Sequence, residues 1–493
     1  MKPAQAFRPG RAGRAIPPRR KPGHRPWGST AALLAAASVW IVLGGAAASA
    51  ASEGPETLGF VRGDTLYVTA AEVIQMALMR NEMIAAASEM ASAAGAEALG
   101  AWRGFLPQLQ LGAFRIRSDD PLNSFAFKLN QRRVEAADFN PDLLNDPDVA
   151  ENNVMQLSLK QPIFNGGMSI AGKRAADKIS RAAGHDHARA AETVEFQAVQ
   201  AYHGLALAKA LEKVMVGATE AGRGHLRQAQ AMFNAEMATE ADLLQARVYL
   251  SGLEQQLIEV RNLVAVAGET IKLLTALETE LPLAPAEELA MPAAELLPPA
   301  APTGRVRERS DIKAYEQRAE AAGSMVGVAR GAMLPHINLS AERDYYSESQ
   351  LFGDDARSWT VGIYGTWNVF AGLGNLGQLK RARAEHRAAE YLYDFRIRQA
   401  KLEATEAWLA ARAAAAKVRV AREAVQAARE SLRIVTNQYG EGLVSMVDLL
   451  DTQAAATQAE GNLVHALHDY SIGLARLRYA SAPAETTAGG LEP

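Results

Sequence analysis

The sequence predicts a mainly α-helical protein with a small β part, built as a duplicated long helical hairpin plus four β-strands. Three observations predict it. The chain is written twice, each copy holds one very long helical run, and between helices the hydrophobic period drops from 3.6 to 2. The 493 residues carry 52 Lys+Arg against 55 Asp+Glu and no Cys. That near balance leaves no basic footprint for nucleic acid. Without Cys there are no disulfides, no thiolate metal site, no Cys nucleophile and no N-terminal lipidated cysteine.

The duplication rests on paired landmarks. Gln161-Pro162-Ile163-Phe164-Asn165-Gly166-Gly167 resembles Trp367-Asn368-Val369-Phe370-Ala371-Gly372-Leu373. Met232-Phe233-Asn234-Ala235-Glu236 through Asp242-Leu243-Leu244 resembles Gln438-Tyr439-Gly440-Glu441-Gly442 through Asp448-Leu449-Leu450. Both pairs share an offset of 206, from Phe164 to Phe370 and from Asp242 to Asp448. Phe105-Leu106-Pro107 parallels Met333-Leu334-Pro335 at an offset of 228, so the first copy carries 22 extra residues after its proline.

The N-terminus reads as a signal peptide over 1–50. Basic residues from Arg8 to Arg25 precede a short apolar run, Ala31 to Leu43, and a small-residue stretch, Ala46 to Ala50. The run is short for a bilayer span of about 20 residues. No later stretch is apolar enough for a membrane helix, so any span must be a β-barrel. The first repeat covers 51–281. It opens at a capping box, Thr69 with Glu72, and runs helically to about Gly104. Leu106-Pro107 stops that helix, as Leu334-Pro335 does in the second repeat, 310–481.

β-Hairpins follow, at about 107–164 and 335–370. The clearest alternation is Trp359, Val361, Ile363, Trp367 and Val369 against Thr360, Gly362, Tyr364, Thr366 and Asn368. Val154 to Lys160 alternates with a slip of phase at Met155-Gln156. The first hairpin's connection, about Ser118 to Asn153, is long and full of turn formers. Four strands cannot close a useful barrel alone. Either the sheet packs on something soluble or several chains share one barrel.

After each glycine landmark a proline-free helix of about 65 residues follows, roughly 100 Å at ~1.5 Å per residue. A tight turn then leads to a return helix of about 35 residues, near ~50 Å. The opening helix of each half is expected to have a similar length, so that opening and return helices together match the long one. Pro282 to Pro302 reads as a Pro/Ala-rich connector (282–309), and 482–493 as a tail.

In this order, the repeated helix, Leu-Pro, strand pair, Phe-x-Gly, long helix and aromatic–x–x–Gly–x(5)–Asp–Leu–Leu turn resemble the TolC-type outer-membrane efflux protein family. The resemblance covers about 65–480. It implies a homotrimer whose twelve strands form one transmembrane barrel in a Gram-negative outer membrane, continued by a periplasmic helical tunnel. It further implies docking to a periplasmic adaptor and an inner-membrane transporter, through turns matching Phe233, Asn234, Gly440 and Gly442. Family members narrow the periplasmic end with aspartate rings, which here match Asp448 and Asp451. Three residues apart, they share a helix face, and three copies would attract cations and hinder anions. The plainer reading makes Asp448 a helix cap and Asp451 a first-turn acid favoured by the helix dipole. Tyr439 and Asp242 match the family's hydrogen bonds between turns, while Val444 stands where a basic latch can sit.

No cofactor, metal or catalytic constellation is expected. His185 and His187 point apart on a helix, His465 and His468 lack a ligand set, and Gly166-Gly167 has no phosphate-loop lysine. The expected function is an export duct for small molecules. The alternatives are the exit of a type I protein-secretion system and a soluble periplasmic coiled-coil scaffold.

Overall fold

The computed structural model describes residues 59–290 and 297–481. The expected signal peptide and tail lie outside the described residues. A small hairpin, β1 (Phe60–Arg62) and β2 (Thr65–Val68), leads into α1 (Ala70–Arg80). The Thr69 capping box forms: Glu72 N donates to Oγ1 at 3.3 Å, and the Glu72 carboxylate accepts from Thr69 N at 2.8 Å. The opening helix is broken. Asn81 takes an extended conformation, caps α2 (Glu82–Gly100) through Met83 N, and donates from Nδ2 to Leu274 O at 3.0 Å. Asn competes with helix through such bonds, which explains the interruption.

The first hairpin pairs β3 (Gln108–Ser118) with β4 (Ala150–Asn165). Its connection is more ordered than its turn formers suggest, holding α3 (Pro121–Asn130) and α4 (Pro141–Asn145). Asp120-Pro121 and Asn140-Pro141 are helix starts, each with a side-chain cap followed by proline in the first turn.

Gly166 and Gly167 then turn the chain in the left-handed region, φ +64° and +81°. A Cβ on Gly166 would fall 2.3 Å from Gly331 O, so glycine is required there. The long helix α5 (Met168–Asn234, 67 residues) follows, then the return helix α6 (Glu240–Thr275, 36 residues).

The connector is not passive. β5 (Leu283–Pro285) adds in parallel to β2, with Leu66 opposite Leu283 and Val68 opposite Pro285. Leu283 and Ala284 are buried, so this Pro-rich stretch is core. Further on, Pro298 O accepts from Trp408 Nε1 at 2.9 Å, and Val306 is buried in a short 3₁₀ turn, Thr303–Glu308.

The second repeat opens with α7 (Ser310–Gly331), then β6 (His336–Ser347), β7 (Ala356–Thr366), α8 (Gly374–Gly440, 67 residues) and α9 (Met446–Ala480, 35 residues). The long and return helices have the expected lengths; the opening helices do not. α7 has 22 residues because the prolines at 298, 299 and 302 disfavour helix and the 3₁₀ turn Thr303–Glu308 takes up the stretch that follows them.

The four long strands form one antiparallel sheet, β3-β4-β6-β7. Its register puts Leu109, Leu159, Ala341 and Val361 in one row, with Leu111, Leu157, Arg343 and Trp359 in the next row of that face, and Gln156, Asp344 and Ser358 on the other. One face is thus mainly apolar and the other polar. The phase slip read at Met155-Gln156 is not a break in pairing, which runs straight through it. Val154 sits on the polar face, where it is buried, and α3 packs against its strand. The irregularity lies between Pro162 and Phe164, where proline has no N–H for the ladder.

Helices pack as a ribbon. Toward the sheet the neighbours run α2–α5–α7–α8, and toward the other end α6–α5–α9–α8. α5 is flanked on both sides and α8 on one. On α8, Ala400, Ala404, Ala407, Ala411 and Ala414 let α9 approach closely, and a Cβ on Gly473 would come within 3.0 Å of Ala411 Cα. Among the described residues no helix is long and apolar enough to cross a membrane.

Candidate functional site: the hairpin tips

Both long helices end in the same turn, and the sequence repeat explains why. After α5, Glu236 N donates to Phe233 O and Met237 N to Met232 O, at 3.0 and 2.8 Å. After α8, Gly442 N donates to Tyr439 O and Leu443 N to Gln438 O, at 3.0 and 2.9 Å. The reversal needs a left-handed residue, Gly442 at φ +75° and Glu236 at φ +57°. The first turn therefore carries a strain that glycine relieves in the second. Phe233, Asn234, Gly440 and Gly442 are all exposed at these tips.

The return helices start alike. Thr239 and Ser445 are the N-caps, while Asp242 and Asp448 sit three residues on as the acidic partners of capping boxes. Asp448 is therefore not the cap residue itself. Its carboxylate accepts from Ser445 Oγ at 2.6 Å and Ser445 N at 3.0 Å, and those bonds hold it below the usual carboxylate range. Asp448 and Asp451 are both exposed, one turn apart on α9.

The four helices are joined behind the tips by an apolar cluster containing Leu243, Ala246, Tyr439, Met446, Leu449 and Leu450. Val444 packs against it. Where a basic latch can sit, this chain has an apolar contact. The Tyr439 hydroxyl is buried, and burial followed by the Asp242 charge pushes its pKa up. No hydrogen bond joins the two among the described residues: Asp242 Oδ2 accepts from Thr239 N and Oγ1, and Tyr439 Oη is unpartnered. The turns are brought together without the expected bond.

Sequence reasoning missed a second phenol. Tyr249 of α6 is also unpartnered, its pKa raised by burial and then by Asp451. Its spacing of seven from Asp242 was the available signal. It also missed His225 of α5, whose Nε2 lies 3.3 Å from Gln453 Oε1 on α9. Among the described residues no group of three or more His, Asp or Glu could hold a metal ion.

The described residues thus form a strand sheet polar on one face and apolar on the other, continued by paired helical hairpins with carboxylates at their tips. The chain belongs to the outer membrane efflux protein family, whose model matches residues 73–277 and 306–482. It is similar to outer membrane protein OprJ of Pseudomonas aeruginosa, 28% identical over 32% of this chain and 33% of the relative. It is also similar to the toluene efflux pump outer membrane protein TtgC of Pseudomonas putida, 26% identical over 46% of this chain and 48% of the relative. These matches span a third to a half of the relatives' length. The Campylobacter jejuni CmeC outer membrane channel shares the fold at a TM-score of 0.71 and 20% identity, covering 83% of this chain and 85% of that one. VceC of Vibrio cholerae does so at 0.70 and 21%, covering 83% and 95%.

Proposed function

We propose that this chain is one third of a trimeric outer-membrane exit duct. It receives small molecules from a periplasmic adaptor and inner-membrane transporter and releases them outside. One observation carries the reading: the chain has two unfinished edges that match. α5 packs α2 and α6 on one flank, α7 and α9 on the other, whereas among the described residues α8 packs α7, α9 and the Thr303–Glu308 turn that precedes α7. By the 206-residue repeat α8 is the counterpart of α5, so a neighbouring copy's α2 and α6 complete it. Large apolar residues are exposed on both: Tyr391, Leu402 and Val420 on α8, Met90, Val248 and Ile258 on α2 and α6. β3 and β7, 11 residues each, are likewise open sheet edges. Head-to-tail contacts of this kind close into rings, and three copies bring twelve strands into one barrel.

The sheet's apolar face then meets outer-membrane lipid, and the helices form the periplasmic tunnel. Asp448 and Asp451 contribute a ring of carboxylates at its end, while the exposed tips at Phe233, Asn234, Gly440 and Gly442 meet the adaptor. The relatives named for efflux support small molecules over polypeptides as cargo. An outer-membrane species that runs as a trimer unheated and as a monomer boiled is expected; a protein soluble without detergent would sink the reading. Replacing Asp448 and Asp451 together by Ala should lower cation block and change conductance in bilayer recordings. Unchanged recordings would remove the ring.

A further inference from the structure

The extra residues of the first repeat fold onto the sheet, and the face they choose has a consequence. The register sets Phe114, Val154, Tyr346 and Ala356 in one row, on the face that also carries Gln156, Asp344 and Ser358. α3 packs against β4 and β7, which are separated by β6, so it crosses this face at the end far from the helices. Val154, Ala356 and the α3 residue Phe127 are all buried there. Gln131 Nε2 donates to Glu151 O at 2.7 Å and to Asn152 Oδ1 at 3.1 Å, and Asn152 lies on the same face as Val154. Arg132 donates to Arg357 O at 3.2 Å, and Arg133 pairs with Glu348 at 2.5 Å across the other hairpin. The insert has its own support. Phe125 and Phe139 meet edge to face at 5.6 Å, and Lys128 pairs with Asp138 at 2.7 Å. It is built to stay.

We infer that this insert is an inward plug that narrows the outer mouth of the duct. The inference rests on the trimeric-barrel reading, in which the polar face is the interior. Size supports it. Eight-stranded barrels are filled by side chains and 16-stranded ones leave a channel, so a twelve-stranded lumen is intermediate. A helix with its side chains is ~10–12 Å across, and three copies of α3 inside the rim occupy much of that opening. The plug therefore sets which solutes pass the outer end, separately from the tips at the periplasmic end.

The absence of Cys makes a clean test. Thr360 and Val361 are neighbours on β7, inward of the insert, and point to opposite faces. In cells expressing the full chain, Thr360→Cys should react with a small thiol reagent but slowly with a bulky polymer-linked maleimide. Replacing residues 120–149 with a short Gly-Ser turn should speed the bulky reaction severalfold and raise single-channel conductance. Gln131→Ala with Arg133→Ala, which loosens docking without removing the insert, should give an intermediate rate even where the shortened chain fails to fold. Equal bulky labelling with the insert intact, loosened and removed would overturn the plug. Val361→Cys should stay unlabelled throughout. Its labelling as fast as Thr360→Cys would instead overturn the barrel reading on which the plug depends.

Discussion

α5 and α8 have the same length and equivalent places in the two repeats, yet they are finished to different degrees. Over 191–212, the stretch that matches Ile397 to Val418 of α8, α5 buries Val194, Tyr202 and Leu205 among its alanines. Between Ile397 and Val418, α8 buries only Ala400, Ala404, Ala407, Ala411 and Ala414. The difference lies in the neighbours, not in helix-forming strength. One helix is enclosed by its own chain, and the other leaves Tyr391, Leu402 and Val420 exposed.

The sharpest way to break this comparison is a charge at matched positions. Leu402 of α8 is exposed, whereas its counterpart Phe196 of α5 stacks on Tyr479 at 5.0 Å. Leu402→Asp should abolish the unheated trimer, because an interface residue of this size contributes about 1.5–3 kcal/mol in each of the three contacts. Phe196→Asp should lower the stability of the chain itself. Trimers that survive Leu402→Asp would mean that the flank is not an interface. A smaller effect is expected inside one repeat. Gly473 lies against Ala411, while its counterpart in the first repeat is Ala267, which already accommodates a methyl group. Gly473→Val should cost about 1–3 kcal/mol through overpacking, read as a lower midpoint in thermal unfolding; an unchanged midpoint would show that α8 and α9 separate easily.

His225 makes the seam between repeats sensitive to acid. Burial pushes its pKa below the ordinary histidine value, despite the bond to Gln453. As pH falls, the unfolded chain takes up the proton first. The stability supplied by the neutral ring is present above about pH 6.5 and is lost as pH falls through the folded value. His225→Gln should therefore flatten the loss of thermal stability on acidification, and a melting curve against pH checks it. The smallest effect is expected at Tyr439, whose first-repeat counterpart is Phe233. Its hydroxyl has no acceptor, so Tyr439→Phe should leave stability unchanged or raise it by about 1 kcal/mol. A clear loss would reveal a hydrogen bond formed only in the assembled tip.

What could be read beforehand was periodic. Helices of 67 residues, strand alternation and a repeated turn declare themselves through spacing, and the capping boxes through residue types three apart. What could not be read depends on distant partners. Asn81 breaks its helix by reaching Leu274, Leu283 becomes a strand only beside Leu66, and Val154, which misreads as a phase slip, is buried on a strand that α3 packs against. At the tips, position was legible and bonding was not. Asp242 and Tyr439 come together, but Thr239 takes the carboxylate.

The pairing of β2 with β5 also bears on how the protein is made. Thr65–Val68 is made well before its partner Leu283–Pro285, which follows only after the whole first hairpin, long helix and return helix. Until then it pairs only with β1, and its other edge is an invitation to wrong partners. Contacts between such distant segments are slow to form. Closing this small sheet thus has to wait until the first repeat is complete. The second repeat starts on a 3₁₀ turn instead and can dock onto a half that is already shut.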